Sequence, residues 1–361
     1  MKKVAIIKVS GLCAGGIEKY LQLLAVSLPK DEFEVDYYYT GKTRSGNWIA
    51  PDTDPGRKQY MIDHGINIIE VECEHFIPLE RGGEWVNHNL YDYFDENQYD
   101  IVAGATKGES YFPFSRTTHP KIIETVHGTV INQASQYADE YILISECQKD
   151  TWLAAGGDMS KTSIIYPPVY VPPSKPSTLR DDLGISEDAF IFGMHQSDRQ
   201  NLFSPVVLNA YRKIETDNTA FVLLGGERSY IDQAQALGLK NFYHVGFASS
   251  PEKIQNVLRG FNIYAHGRYD GEVCSSAIIE AMSNGTPVIS HPSQINNGHF
   301  YQIRDCGFWC SSTEEYADAM RLLMDNKQLY QQKIQETTQV YETMFDYEKC
   351  IQQMIDVFRR V

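Results

Sequence analysis

The chain has 361 residues, more than the ~250 to 300 at which single cores usually stop growing, so two domains are the first expectation. Hydrophobic residues at 42% and charged residues at 22% exclude a disordered or low-complexity protein. A formal net charge of -15 argues against nucleic-acid binding, which needs clustered Lys and Arg, and the acidic crowd Glu32, Glu34, Asp36, Glu70, Glu72 and Glu74 argues against anionic lipid.

The N-terminal apolar run spans only Val4 to Ile7 before Lys8, and no stretch approaches the ~20 residues of a membrane span. A mature cytosolic start is expected. The cysteines at 13, 73, 147, 274, 306, 310 and 350 are scattered and odd in number, which suits a reducing compartment rather than a disulfide framework.

In chain order, Val4 to Val9 reads as a strand, Gly11, Gly15 and Gly16 as a glycine loop, and Ile17, Tyr20, Leu21, Leu24, Ala25 and Leu28 as one face of a helix. Further strands are expected at Phe33 to Tyr39, Ile66 to Val71, Asp100 to Gly104, Lys121 to Val126 and Tyr141 to Ile144. Strands alternating with helices predict parallel βαβ units. The stretch YPPVYVPPSKPS, from Tyr166 to Ser177, carries five prolines and stiffens an extended connection. A second series follows at Ala189 to Met194, Ala220 to Leu224, Phe242 to Val245, Phe261 to Ala265 and Pro287 to Ser290, and after Thr313 the chain reads as helical. The expected organisation is a first lobe over 1–168, a linker over 167–177, a second lobe over 178–344 and a terminal helix over about 345–361 returning to the first lobe.

The most informative stretch is GEVCSSAIIEAMSNGTPVIS, from Gly271 to Ser290. Ser275 or Ser276 can cap a helix running to Ser283, which Asn284-Gly285 and Pro287 then stop. Amides of Val273, Cys274, Ser275 and Ser276 at that helix start suit a diphosphate without help from metal. Glu272 and Glu280 lie eight residues apart, a placement for two separate hydroxyl-accepting tasks rather than one shared proton; alternatively they are a plain loop acid and a capping acid.

Glu272, seven intervening residues and Glu280, followed by Ala281-Met282, Gly285 and Pro287-Val288-Ile289, resemble the EX7E signature and its EAMxxGxPVI tail in family 4 retaining glycosyltransferases. The resemblance implies an α/β chain of GT-B fold, two Rossmann-like parallel-sheet lobes facing each other across a cleft, with donor binding in the second lobe and acceptor binding in the first. It implies that Glu272 contacts the donor sugar and Glu280 the ribose. Gly15-Gly16-Ile17-Glu18 resembles the family's GG-x-E loop, where small residues let backbone approach the donor phosphate and acceptor. His127, after the strand IIETV, inherits the place of the histidine beside the transferred sugar, though a histidine at a strand end is commonly structural.

The phosphate clamp departs from the family pattern. The first arginine position is Met194, and the lysine position is Arg199 or Gln200, so Arg199 and Arg268 become the candidate cations unless they are plain surface arginines. Gly225-Gly226-Glu227 and Val245-Gly246-Phe247 resemble base-binding edges, placing Gly226 and Phe247 at the donor, or are ordinary strand-end turns. Asn296-Asn297-Gly298-His299 lines the donor or is a plain loop.

Two decoys are set aside. Asp52-Thr53-Asp54 spells a metal-binding DxD motif but has no flanking strand, and Cys306, Cys310 and His299 have poor zinc spacing. No cofactor is expected beyond a UDP- or GDP-sugar donor. The partners are that donor and a glycan or small soluble hydroxyl acceptor, in the cytoplasm and without nucleic acid. A nucleotide-sugar epimerase and a non-catalytic nucleotide-sugar binder, the latter suggested by Met194, remain as alternatives; a Rossmann oxidoreductase is disfavoured because the glycines at 11, 15 and 16 break the G-x-G-x-x-G order.

Overall fold

The computed structural model describes residues 1–8, 12, 16–40, 54–71, 93–106, 117–128, 130–197, 202–226, 228–248 and 250–361. The chain divides into two compact units, one comprising Met1–Pro168 with Glu348–Val361 and the other Val169–Tyr347.

In the first unit, β1 (Lys2–Lys8), β2 (Phe33–Thr40), β3 (Asn67–Val71), β4 (Ile101–Thr106), β5 (Lys121–Val126), β6 (Glu140–Leu143) and β7 (Thr162–Ile164) form a parallel sheet in the order β3-β2-β1-β4-β5-β6-β7. Its helices are α1 (Gly16–Ser27), α2 (Pro55–Asp63) and α3 (Gln148–Ala154). The strands are β-branched and buried because a parallel sheet is covered on both faces; Ala5, Ile7, Tyr38, Val102, Val126 and Trp152 share one core. Asp54 caps α2, its Oδ1 accepting from the amides of Gly56 at 2.9 Å and Arg57 at 3.2 Å, a structural use of the last residue of the DxD spelling. Asp52 and Thr53 lie outside the described residues.

In the second unit, β8 (Phe190–Gln196), β9 (Thr219–Gly225), β10 (Phe242–Val245), β11 (Ile263–Ala265), β12 (Val288–Ser290) and β13 (Phe308–Trp309) run parallel in the order β10-β9-β8-β11-β12-β13. The helices are α4 (Leu179–Leu183), α5 (Val206–Arg212), α6 (Arg228–Ala236), α7 (Pro251–Leu258), α8 (Ser276–Met282), α9 (Gly298–Ile303), α10 (Thr313–Asp325) and α11 (Lys327–Val340). Helix starts follow local capping chemistry: Ser250 precedes Pro251 at the head of α7, and Ser312 accepts from Glu315 N at 3.1 Å at the head of α10. The strand order turns between β8 and β11, which makes the carboxyl ends of those two strands the switch point where open α/β sheets hold ligands.

The last helix, α12 (Tyr347–Arg360), belongs from Glu348 onward to the first unit. Its apolar stripe of Cys350, Ile351, Met354, Ile355, Val357 and Phe358 is buried, Phe358 meeting Phe33 edge-on at 6.2 Å. Arg359 pairs with Glu32, and Arg360 with Glu140 at 2.9 Å.

Candidate active site

The switch point of the second unit gathers the sequence-predicted glutamates. After β11 the chain leaves the sheet at His266, turns through Arg268, Asp270 and Gly271, presents Glu272 and enters α8. Gly271 has φ +65°, and a Cβ there would stand 1.5 Å from the carbonyl oxygen of Asn296, so only glycine fits the turn. The neighbouring loop backs this one: Asn296 N donates to Asp270 O at 3.1 Å, and His299 N to Glu272 O at 3.1 Å. Asn296 and His299 therefore brace the Glu272 loop.

Glu272 is held from two sides. Arg268 Nη1 donates to its Oε1 at 2.7 Å, and His266 Nε2 lies 3.1 Å from its Oε2. Burial alone would raise its pKa, but Arg268, then His266 and a hydrogen bond from Ser275, bring it down to about 2, so the carboxylate stays ionised. Arg268 also grips Asp270 through Nε and Nη2, each at 3.0 Å. Arg268, a candidate cation in the sequence, is thus paired with two carboxylates, Glu272 and Asp270.

Glu280 sits inside α8 and meets His195, whose Nδ1 lies 3.1 Å from Glu280 Oε2. On β8 the side chains alternate. Met194 shares with Phe192 the buried core under α5 and α10 and is 1% exposed, whereas its neighbour His195 faces α8. The position taken as a lost arginine is thus a core position here, and the polar group that β8 offers to the motif is His195. Arg199 lies outside the described residues.

The start of α8 differs in part from expectation. Ser275 is the cap, its Oγ accepting from Ile278 N at 3.4 Å, but its own amide donates to Gln302 Oε1 at 2.7 Å while Gln302 Nε2 returns a bond to Ser275 O at 3.1 Å. Ser275 is fully buried, so its amide serves the α8 to α9 junction and is not presented to a diphosphate. Val273 is buried, Cys274 half-buried and Ser276 exposed in the first helical turn. Gly285 ends the helix with φ +69°, as its position after Asn284 predicts.

At the neighbouring strand ends, Gly225 and Gly226 have φ +66° and +83°, and Gly226 N donates to Gln196 O at 2.7 Å, tying the end of β9 to that of β8. Phe247 is 75% exposed. Cys306 and Cys310 are buried thiols pushed by burial up to about 11 and about 12, which disfavours the thiolate a metal would need. Among the described residues no group of three or more His, Cys, Asp or Glu is placed to hold a metal ion.

In the first unit, His127 follows β5 at the position predicted. Gln148 fixes the backbone around it, donating to Val126 O and Gly128 O at 3.0 Å each. The ring meets Tyr20 edge-on at 5.0 Å, and its Nε2 is buried with no hydrogen-bond partner among the described residues. Burial, with Lys8 adding to it, lowers its pKa to about 3, so it is a neutral imidazole with an unused nitrogen. Gly16 begins α1, where an added Cβ would meet nothing within 4 Å; Gly15 lies outside the described residues.

His195, His266, Ser290 and Gln302 were not singled out from sequence. His195 and His266 carry the signal used for His127, a histidine at a strand's carboxyl end, whereas Gln302 reaches the site from a later helix with no local pattern.

The two parallel-sheet units, each with its switch point, make this a GT-B fold. Residues 178–340, which lie within the second unit, match the family model described as glycosyl transferases group 1. No curated protein matches the chain. Among solved structures, Anabaena Alr3699/HepE in complex with UDP and glucose is 17% identical, with 100% of both chains covered and a TM-score of 0.75. Sucrose-phosphate synthase from Thermosynechococcus elongatus is 16% identical over 100% of this chain and 99% of its own, with a TM-score of 0.73. A glycosyltransferase from Rickettsia africae ESF-5 is 14% identical over 99% and 98%, with a TM-score of 0.75. At these identities the likeness establishes the fold.

Proposed function

We propose that the protein is a retaining glycosyltransferase that moves a sugar from a UDP- or GDP-sugar to a hydroxyl of a glycan or small soluble acceptor. The observation that carries this is the pair of motif carboxylates at the switch point, Glu272 ionised and held by Arg268 and His266, and Glu280 facing His195. Glu272 accepts from hydroxyls of the donor sugar and Glu280 from the ribose, while the diphosphate lies toward the positive end of α8, near Cys274 and Ser276. In the first unit, Gly15, Gly16 and His127 are assigned to the acceptor, His127 as a neutral hydrogen-bonding group. Gly226 and Phe247 border the base. The acceptor hydroxyl attacks the anomeric carbon on the face from which the diphosphate departs, and the leaving charge is stabilised electrostatically.

The match of residues 178–340 to glycosyl transferases group 1 supports this reading, as does the likeness to a protein solved with UDP and glucose. The function requires no metal, so EDTA leaves turnover unchanged. Among the described residues no helix is long and apolar enough to cross a membrane; the odd number and scattered spacing of the cysteines support a cytoplasmic setting. The test is thermal unfolding against UDP, GDP and their sugar conjugates, followed by proton NMR of the product's anomeric configuration. A stabilising shift for one base and a product of the donor's configuration support the assignment; an inverted product removes retention, and no shift with any nucleotide removes the donor site.

A further inference from the structure

We propose that His266 is a positioning residue for Glu272 and that Ser290 sets it by fixing the tautomer of its ring. The proposal rests on the donor-site role of Glu272 given above. His266 stands between β11 and the Glu272 loop with its side chain 2% exposed. Its Nδ1 lies 2.8 Å from Ser290 Oγ, at the end of β12, and its Nε2 lies 3.1 Å from Glu272 Oε2. β11 and β12 are adjacent and parallel, so both residues sit at the same end of the sheet.

The tautomer follows from which atoms can donate. An ionised carboxylate only accepts, so Nε2 carries the hydrogen facing Glu272. Ser290 is fully buried, and among the described residues the only hydrogen-bond partner of its Oγ is His266 Nδ1. A hydrogen on Nδ1 would leave the buried hydroxyl hydrogen without an acceptor, which is costly, so Nδ1 holds a lone pair and Ser290 donates to it. The relay runs from Ser290 O–H to Nδ1, and from Nε2–H to Glu272. The ring is also fixed in plane: His299 packs against it at 4.8 Å between centroids and Trp309 against His299 at 5.0 Å, while Tyr316 donates to His266 O at 3.0 Å.

Such a relay determines where the carboxylate points. Arg268 occupies Oε1 and His266 occupies Oε2, so Glu272 cannot rotate without losing a partner, and its remaining lone pairs are aimed in advance. Removing Ser290 Oγ takes away the group that keeps a hydrogen off Nδ1, so the ring is held to that tautomer by Glu272 alone and the Nε2–H bond to the carboxylate is less strictly kept.

The experiment uses the full chain labelled with nitrogen-15 histidine, with His266 assigned by His266→Gln, and titrations of wild type, Ser290→Ala, His266→Ala and His266→Gln with the pairs UDP and UDP-glucose, and GDP and GDP-mannose. The expected wild-type spectrum shows a lone pair at Nδ1 and a hydrogen at Nε2. Ser290→Ala shifts that tautomer and reduces the preference for the sugar conjugate over the bare nucleotide by roughly tenfold, the scale reached when partners behind a metal ligand are removed. Affinity for the bare nucleotide is unchanged. His266→Gln, which keeps an N–H toward Glu272, retains more of the sugar preference than His266→Ala. A hydrogen on Nδ1 in the wild type, or a folded Ser290→Ala with its sugar preference intact, overturns the proposal while leaving the donor site standing. A wild type that binds neither pair overturns the donor site and the positioning role together.

Discussion

His195 at the end of β8 and Glu280 within α8 meet across 3.1 Å, so the second motif glutamate, like the first, has an imidazole from a strand end beside it. If Glu280 receives ribose hydroxyls, this contact helps fix its rotamer. His195→Ala is expected to weaken nucleotide binding roughly tenfold, about 1.4 kcal/mol and just under the ~1.5 to 3 kcal/mol of hydrogen bonds to charged groups, because the contact acts on the ligand through Glu280. The loss is smaller for a 2′,3′-dideoxy nucleotide, which calorimetric titration of both ligands checks. Equal losses for the two would separate His195 from ribose recognition.

Glu272→Ala and Glu280→Ala are expected to lower kcat/KM by roughly 100-fold or more, the scale seen when one preorganised polar contact to a transition state is removed. Both glutamates are partly exposed, with side-chain exposures of 18% and 17%, so the variants should fold. Circular dichroism alongside turnover tests this, and wild-type rates in folded variants would sink the assignment.

Gly271→Ala is expected to act on the site through the backbone. The substitution meets both a left-handed φ of +65° and the Asn296 carbonyl at 1.5 Å, so the loop must move and carry Glu272 with it. Thermal unfolding should show a loss of stability above ~1 kcal/mol together with loss of sugar-conjugate binding. Gly16→Ala, with no atom within 4 Å of the added carbon, is the contrasting control for strain.

Met194→Arg, which restores the residue type of the family motif, is expected to destabilise rather than activate. The side chain lies in a core with Phe192, Val207, Tyr211 and Met320, and among these no carboxylate is present to pair with a guanidinium. Burying an unpaired charge costs several kcal/mol, enough to abolish cooperative unfolding in a scan. A stable Met194→Arg with raised donor affinity would show that this side chain reaches the site.

The fold class was legible because the chemistry that makes parallel strands is local. The runs at 121–126 and 242–245 are strands with the predicted bounds, and the helix starting at the Ser275 cap ends before Gly285 as expected. Thr162–Ile164 and Phe308–Trp309 escaped notice because strands of three and two residues at sheet edges carry no periodicity. In the site, the glutamates were legible from their spacing. What positions them was not: His266 reaches Ser290 across 24 residues and Ser275 meets Gln302 across 27, contacts set by adjacent strand ends rather than by neighbours in sequence. The surroundings of Met194 and Arg268 were not legible for a related reason. A motif fixes the order of residues, but the strand's alternation and the carboxylates at Asp270 and Glu272 decide which way a side chain points and whether its charge is compensated.

Acid should destabilise the protein over a definite range. Burial lowers the pKa of His127 and His299 to about 3 and of His291 to about 4, below the ~6.5 of a histidine in the unfolded chain. Below pH ~6.5 the unfolded state therefore binds protons that the folded state refuses, and stability present above that pH is lost as the pH falls toward the folded values. Each histidine contributes a slope approaching ~1.4 kcal/mol per pH unit. Glu272, with its pKa brought down to about 2, adds a loss of the same sign below pH ~4.5. Thermal unfolding from pH 7.5 to 5 should show a falling midpoint, and His299→Phe, which keeps a ring between His266 and Trp309, should make that fall shallower by about one proton. A midpoint that is flat from pH 7.5 to 5, or a slope unaltered in His299→Phe, would show that these rings gain protons without opening the fold.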